Sequence, residues 1–185
     1  MGASTDAIEY EPTTLTSFAD GDLFVVHDAS TVAAAKVAFS TTKQGATPVA
    51  CTAATLTVTR ALHAGRTILL NRAGGIAVTL PAATGTGDVF RFFVQATFTS
   101  DATIKAASAS DSFLGHAFLQ GDDASALGGF ACAANDDTLT MDGTTKGGYL
   151  GAWVEVEDVA TGLFHVRYFS KATGTEATPF SATVS

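Results

Sequence analysis

Charged residues are scarce in this sequence, and basic residues are the scarcer kind. Only 15% of the chain is charged, and 10 Lys and Arg face 18 Asp and Glu, which gives a formal net charge of −8. Nucleic-acid binding depends on clustered Lys and Arg that neutralise phosphates, so we expect no nucleic acid among the partners. The low charge also predicts that other subunits cover part of the surface, with a simple bias toward Ala and Thr as the alternative explanation.

Long apolar runs and a leader segment are also missing. No run of about 18 apolar residues is present, so the sequence predicts no membrane-spanning helix and no membrane partner. Residues 1–22 lack the basic start and the apolar centre of a signal peptide. We therefore expect a soluble protein that is made in the cytoplasm.

Residues that bind metals or form disulfides are few and scattered. The two cysteines, Cys51 and Cys132, lie in no spacing typical of a zinc site. We expect buried free thiols, and a single bond between the two remains the open alternative. No histidine has a metal-ligand spacing such as HxxxH, and we expect structural roles and no cofactor; the four are His27, His63, His116 and His165.

Motifs for catalysis or nucleotide binding are absent as well. Serines are abundant, but the chain contains no GxSxG sequence. Residues 85–88, Gly-Thr-Gly-Asp, look like the start of a phosphate-binding loop, but the third glycine is missing and a strand is predicted to follow, which favours a plain turn. The acidic pairs at 122–123 and 136–137, with Asp142, could hold calcium, but their spacing differs from an EF-hand, which favours solvated carboxylates. We predict that the protein is not an enzyme and has no catalytic residues.

Alternation of apolar and polar residues is what the sequence has in abundance. It is clearest in residues 55–98, where short runs alternate between glycine-rich turns. A period of two is that of a strand with one face on a core. About ten such runs and almost no helical pattern predict an all-β fold. We prefer a sandwich of the jelly-roll type, with a small β-barrel as the alternative.

Two later runs predict a hairpin. In residues 149–156 and 163–169, apolar side chains alternate with polar or aromatic ones, and a turn containing Asp158 and Gly162 separates the runs. This alternation places Trp153 and Arg167 opposite the apolar positions. Both are therefore candidate residues of an exposed face.

The composition and the apolar periodicity of the chain change along its length. We predict an N-terminal arm and short β segment over residues 1–54, and a β-sandwich platform over residues 55–185. Residues 1–22 are acidic and poor in periodic apolar positions, and such a segment orders only against a partner or its own domain. It is our candidate for attachment to another protein. Its candidate contact residues combine acidic and apolar side chains: Glu9, Tyr10, Glu11, Leu15 and Phe18.

Several stretches carry a resemblance to a known group of proteins. They are GRTILLNRAGGIAVTLPAATGTGDVFRFFV (65–94), GGYLGAWVEVEDVATGLFHV (147–166) and ATGTEATPFSATVS (172–185). These stretches resemble small virion proteins of tailed bacteriophages, a group that includes capsid decoration, or cement, proteins. Residues 19–30, ADGDLFVVHDAS, also resemble the N-terminal part of phage structural proteins, including some fibre proteins.

The resemblance implies a non-enzymatic structural protein on the exterior of a phage capsid. Such a protein binds the major capsid protein and cements neighbouring capsomers, commonly as a homotrimer. An acidic chain fits the outside of the head better than the side that faces DNA. The alternative that the resemblance leaves open is a head or tail fibre or a receptor-binding module, in which exposed aromatic residues such as Trp153 would stack on host sugars.

Overall fold

The chain divides into two units, Met1–Gln44 and Gly45–Ser185. The structure, a computed structural model, describes residues 23–27, 34–38, 47–122 and 127–184. In the first unit, β1 (Leu23–His27) and β2 (Ala34–Ala38) form an antiparallel pair. The division falls earlier in the chain than the predicted boundary between residues 54 and 55, because the strand at residues 49–51 pairs within the larger unit.

Two sheets make up the described part of the larger unit. The seven-stranded sheet contains, in spatial order, β10 (Leu127–Ala131), β9 (Ser112–Gln120), β13 (Leu163–Lys171), β12 (Trp153–Ala160), β7 (Val89–Val94), β5 (Thr67–Leu70) and β3 (Val49–Cys51). The five-stranded sheet contains β14 (Phe180–Ser181), β11 (Thr138–Met141), β8 (Ala102–Lys105), β6 (Ala77–Thr79) and β4 (Thr55–Thr57). A short helix, α1 (Arg60–His63), follows β4. Strands hold 48% and helix 3% of the described residues, which confirms the all-β prediction.

From β3 to β8 the chain alternates between the two sheets. In the seven-stranded sheet β5 pairs in parallel with β3 and β7 with β5, while in the five-stranded sheet β6 pairs in parallel with β4 and β8 with β6. Each parallel connection therefore passes through the opposite sheet, as in the coils of a β-solenoid. We call the strands from β3 to β8 the coil strands. Jelly rolls are antiparallel, so the jelly-roll form of the predicted sandwich is not confirmed.

The predicted hairpin is present and forms the centre of the larger sheet. Strands β12 and β13 pair antiparallel, with Val156 opposite Val166, and β12 also pairs antiparallel with β7. On its other side β13 pairs in parallel with β9 along nine residues, from Leu163 opposite Ser112 to Lys171 opposite Gln120. The hairpin therefore connects β7 on one side, through β12, with β9 on the other side, through β13.

The core lies between the two sheets and follows from the alternation. Every second residue of β7 is buried, and the same holds for β12 and for most of β13. The largest fully buried side chains of the core are aromatic or aliphatic: Tyr168, Phe90, Phe92, Phe98, Phe113, Phe164, Ile68, Leu70, Ile76, Leu80, Ile104 and Leu119. Burying each such side chain contributes about 1.5–3 kcal/mol.

Near the C-terminus, residues 180–181 belong to the smaller sheet. Strand β14 pairs with β11, with Phe180 opposite Leu139. Beyond it, the backbone N–H groups of Thr183 and Val184 donate to the carboxylate of Asp137. Burial by itself raises the pKa of Asp137, but these donors and the Thr138 hydroxyl outweigh it, so the pKa lies below its ordinary value.

Gly115 in the middle of β9 provides a test of how tightly β9 and β13 approach. Its φ is +153°, and a Cβ at this position would overlap the carbonyl oxygen of Val166. We expect Gly115→Ala to destabilise the protein by at least about 3 kcal/mol, because the backbone conformation and the overlap both oppose it. The measurement is the free energy of unfolding in urea.

Gly87→Ala is the matched control. Gly87 also has a positive φ, +75°, but nothing lies within 4 Å of an added Cβ. Only the conformational cost of about 1–2 kcal/mol then applies. Equal losses for the two variants would contradict the close approach of β9 to β13.

Candidate binding face

The outer face of the seven-stranded sheet carries a row of apolar side chains. In β12 the buried Val154 and Val156 alternate with Trp153 and Glu155, which point to the other side. The strand register places Phe169 and Phe93 on either side of Trp153. It places Phe118 beside Phe169 and Leu69 beside Phe93. We call these five side chains the aromatic row: Phe118, Phe169, Trp153, Phe93 and Leu69.

The rings of the aromatic row pack against one another. The centroids of Phe118 and Phe169 lie 5.3 Å apart with planes inclined by 20°, and those of Trp153 and Phe169 lie 5.8 Å apart at 35°. His116, two residues before Phe118 on β9, stacks on Phe118 with ring centroids 6.4 Å apart. Aromatic pairs of this kind contribute about 0.5–1.5 kcal/mol each. Yet Phe118 and Phe169 remain 38% and 47% exposed, so the row is only partly covered by its own chain.

A charged row of three side chains, Arg91, Glu155 and Arg167, runs beside the aromatic row. Glu155 accepts hydrogen bonds from Nε of Arg91 at 3.0 Å and from Nη1 of Arg167 at 2.8 Å. The two arginine side chains are 40% and 49% exposed, so each ion pair contributes at most about 1 kcal/mol. Two arginines share one glutamate, so the charges of the row do not cancel, and the ion pairs hold two long side chains next to the rings.

A groove opens at one end of the aromatic row. Its volume is about 570 Å³, and Phe118, Phe169, Leu127 and Leu150 supply its apolar lining. Lys171 is the charged residue of the lining, and its Nζ lies 5.7 Å from the ring centroid of Tyr149. The groove is therefore apolar with one cation at its margin.

Exposed hydrophobic side chains concentrate on this face. Seven large hydrophobic residues of the described chain are exposed, and five of them lie on the outer face or line its groove: Leu114, Phe118, Leu127, Leu150 and Phe169. Scattered exposed hydrophobics need no explanation, but a contiguous set marks an interaction surface. The outer face is thus the candidate functional site.

The predicted site residues have different outcomes. The structure places Trp153 and Arg167 on the outer face, in the aromatic row and the charged row respectively. The five candidate contact residues of the arm, Glu9 to Phe18, lie outside the described residues. Sequence reasoning missed Phe118, Phe169 and Leu127. The available signal was the alternation in residues 113–119, which is weak because the buried positions there include Gly115 and Ala117.

The glycine-containing loop that resembles a phosphate-binding loop holds a carboxylate of the chain itself. The backbone N–H groups of Thr84, Gly85 and Thr86 donate to the carboxylate of Asp158, at 3.0, 2.7 and 3.3 Å. Nη2 of Arg60 completes the site at 2.9 Å. Burial alone raises the pKa of Asp158, but the N–H donors outweigh it and leave the pKa below its ordinary value. These three N–H groups already donate to Asp158, so they are not free to bind a phosphate.

Other titratable side chains also make structural contacts. The N–H of Thr59 donates to Nδ1 of the buried His63 at 3.0 Å. Asp142 accepts from the N–H groups of Thr144 and Lys146, at 2.7 and 2.9 Å, which fixes its loop. Among the residues the structure describes, no group of three or more His, Cys, Asp or Glu side chains is arranged to hold a metal ion.

The two cysteines are free thiols, as predicted, and Cys51 is buried, but Cys132 is only half-buried where burial was expected. Burial is the larger of two causes that raise the pKa of the Cys132 thiol to about 12, and the nearby Asp136 carboxylate is the smaller. Cys132 is therefore a neutral thiol at physiological pH, in a form that reacts slowly.

Comparison with protein-family models, with curated proteins and with solved structures found no match to this chain. Within the ranges the structure describes, no helix has the length and apolar character needed to cross a membrane.

Asp158 yields a prediction about stability and pH. We expect Asp158→Ala to destabilise the protein by about 3–5 kcal/mol at neutral pH, because it leaves Arg60 and the loop N–H groups without their acceptor. Since the pKa of Asp158 is lowered by folding, its contribution is complete above its unfolded pKa of about 4 and disappears as the pH falls through the folded value. Urea unfolding between neutral and acidic pH measures both effects.

Asp101→Asn is the control, since Asp101 is exposed. It should leave the urea midpoint and its pH dependence unchanged. Asp158→Ala should show a shallower loss of stability on acidification than the unchanged protein. If Asp158→Ala and Asp101→Asn lost equal stability on acidification, this result would contradict the role of the Asp158 carboxylate.

Proposed function

We propose that this chain is a non-enzymatic structural protein of a tailed-bacteriophage virion. In this proposal it binds the outer surface of the capsid, with the major capsid protein as its partner, and holds neighbouring capsomers together. The observation that carries the proposal is the concentration of exposed hydrophobic side chains on one rigid sheet face. Aromatic residues and arginine side by side are the composition that protein interfaces favour.

The rigidity of the platform supports a structural role. The carboxylates of Asp137, Asp142 and Asp158 accept backbone N–H groups that fix the C-terminal segment and two loops. A protein that holds a shell together must keep its contact surfaces in a constant arrangement, because ordering them on binding would cost about 1–2 kcal/mol per residue. The net charge of −8 also suits the outside of a head, away from the packaged DNA.

Multivalency supplies the mechanism. A homotrimer engages several shell subunits at once, so its release requires all contacts to break together. Each contact then needs only modest affinity. In this proposal the acidic arm, residues 1–22, reaches onto a neighbouring subunit, and the chain is made in the host cytoplasm before it joins the virion exterior.

The competing proposal is a fibre or receptor-binding module whose aromatic side chains stack on host sugars. The exposed rings of Phe118 and Phe169 favour it in part. Sugar stacking needs a free ring face, however, and Phe169 packs against the rings of both Phe118 and Trp153, while Phe118 also packs against His116. The aromatic row is therefore better suited to contact with protein side chains than to stacking on sugars.

Copy number in purified particles separates the two proposals. A cement protein is expected at hundreds of copies per virion and a fibre at roughly a dozen or fewer, by the symmetry of their attachment points. The measurement is the ratio of this chain to the major shell protein by quantitative mass spectrometry. A ratio in the range of a fibre would contradict the capsid role.

Deletion of residues 1–20 tests the attachment arm. We expect the truncated chain to keep the melting temperature of the β platform and to lose most of its binding to undecorated heads in a co-sedimentation assay. Unchanged binding would assign attachment to the platform instead. Unfolding of the truncated chain would show that the segment belongs to the core.

A further inference from the structure

Asp111 has a buried side-chain oxygen that no other described residue contacts through a hydrogen bond. The residue is 5% exposed, and its Oδ2 atom has no hydrogen-bond partner in the part of the chain that the structure describes. Buried polar atoms in proteins almost always have such a partner, and a buried charge without one destabilises the fold. We propose that the Asp111 carboxylate binds a calcium ion, together with backbone oxygens of the loop between β8 and β9.

The position of Asp111 in the chain directs its carboxylate toward the interior. Asp111 directly precedes β9, in which Phe113 and every second residue after it are buried. Asp111 lies two residues before Phe113 and belongs to the same inward series. Its N–H donates to the carbonyl of Ser108 at 3.0 Å, which holds the loop in place. The carboxylate is therefore fixed where bulk water has little access to it.

The surrounding charges favour a cation as the partner of this carboxylate. None of the ion pairs among the described residues includes Asp111. A second acidic residue, Asp136, is 9% exposed, and its backbone carbonyl accepts the N–H of Phe113 at 2.6 Å. Within the described ranges Asp136 forms no ion pair either. Two buried carboxylates near the start of β9 therefore lack the positive charge that a divalent ion would supply.

A proton on Oδ2 does not take the place of the cation. A protonated carboxyl group donates a hydrogen bond and needs an acceptor. Oδ2 has neither a donor nor an acceptor of the described chain within hydrogen-bond distance. Protonation would remove the charge but leave the atom without a partner.

The loop supplies a further oxygen ligand. The carbonyl of Ser110, directly before Asp111, accepts no hydrogen bond from the described residues. It faces Gly162, because a Cβ built on Gly162 would lie 3.0 Å from the Ser110 oxygen. Apart from the chain neighbours of Gly162, no other atom lies within 4 Å of that Cβ position. Because Gly162 has no side chain, room remains beside the Ser110 oxygen for an ion and its water ligands.

The mixture of ligands suits calcium better than magnesium. Calcium binds about six to eight oxygens in a flexible arrangement that includes backbone carbonyls and water, whereas magnesium requires near-ideal octahedral geometry. Among the described residues, no three His, Cys, Asp or Glu side chains are grouped to hold a metal, so the site has few charged ligands. We therefore expect a dissociation constant of about 0.1–1 mM.

The experiment measures calcium binding and thermal unfolding of the full chain, after treatment with EDTA and removal of the EDTA by dialysis. We expect isothermal titration calorimetry to detect one calcium site. Calcium at about ten times its dissociation constant should raise the melting temperature by about 3–6 °C, because the ion binds only the folded protein. Magnesium at the same concentration should raise it less, and an equal increase would contradict the assignment to calcium.

Asp111→Asn removes the charge, keeps the size of the side chain and should abolish the calcium-dependent increase. Without calcium, this variant should melt at or above the temperature of the unchanged protein, because the unpaired buried charge is gone. Asp101→Asn is the matched control, since Asp101 is exposed and the charge change is identical. It should respond to calcium like the unchanged protein. Far-ultraviolet circular dichroism verifies that both variants remain folded as β proteins.

The absence of any calcium effect on the unchanged protein overturns the inference, whether or not Asp111→Asn folds. An equal calcium effect in the unchanged protein and in Asp111→Asn also overturns it, since the ion then binds elsewhere. The site lies at the opposite end of β9 from the groove of the outer face. None of these outcomes therefore depends on the proposed capsid role.

Discussion

The carboxylate of Asp158 connects segments of the chain that lie far apart in sequence. It accepts N–H groups from the loop before β7 and a hydrogen bond from Arg60 on α1, a residue 98 positions away. Its own position is near the turn of the β12–β13 hairpin. The carboxylate is fully buried, so its desolvation is compensated only while all of these donors stay in place. The Asp158 side chain thereby links α1 and the loop before β7 to the hairpin, in addition to the backbone pairing of β7 with β12.

Local features of the fold were predictable from the sequence. The alternation in residues 149–156 and 163–169 predicts the hairpin, because a short turn lets neighbouring strands pair with little loss of chain entropy. The all-β class follows from the same period of two. The parallel pairs of the coil were not predictable, since β3 and β5 are joined through a strand of the other sheet and no local residue pattern encodes which strand returns beside which.

The candidate site was predictable in part for the same reason. Trp153 and Arg167 lie on clearly alternating strands, so their outward direction could be inferred. Phe118 lies on β9, where the inward positions include Gly115 and Ala117 and the apolar period is weak. The meeting of Phe118 and Phe169 depends on the parallel register of β9 with β13, which is tertiary information. Likewise, the loop at residues 84–86 could be interpreted as a turn, but not as the binding partner of Asp158.

The short edge strands direct how this protein can associate. Of the four strands at the edges of the two sheets, β3 and β4 have three residues each and β14 has two. The fourth, β10, has five residues, of which two are glycines that weaken strand pairing. An edge this short offers few unpaired backbone groups to a strand of another molecule, so it is a poor template for edge-to-edge fusion into a continuous sheet. Copies held at high local density therefore stay separate along their edges. Growth into fibrils is disfavoured, and contact through side chains on the faces becomes the available route to ordered assembly.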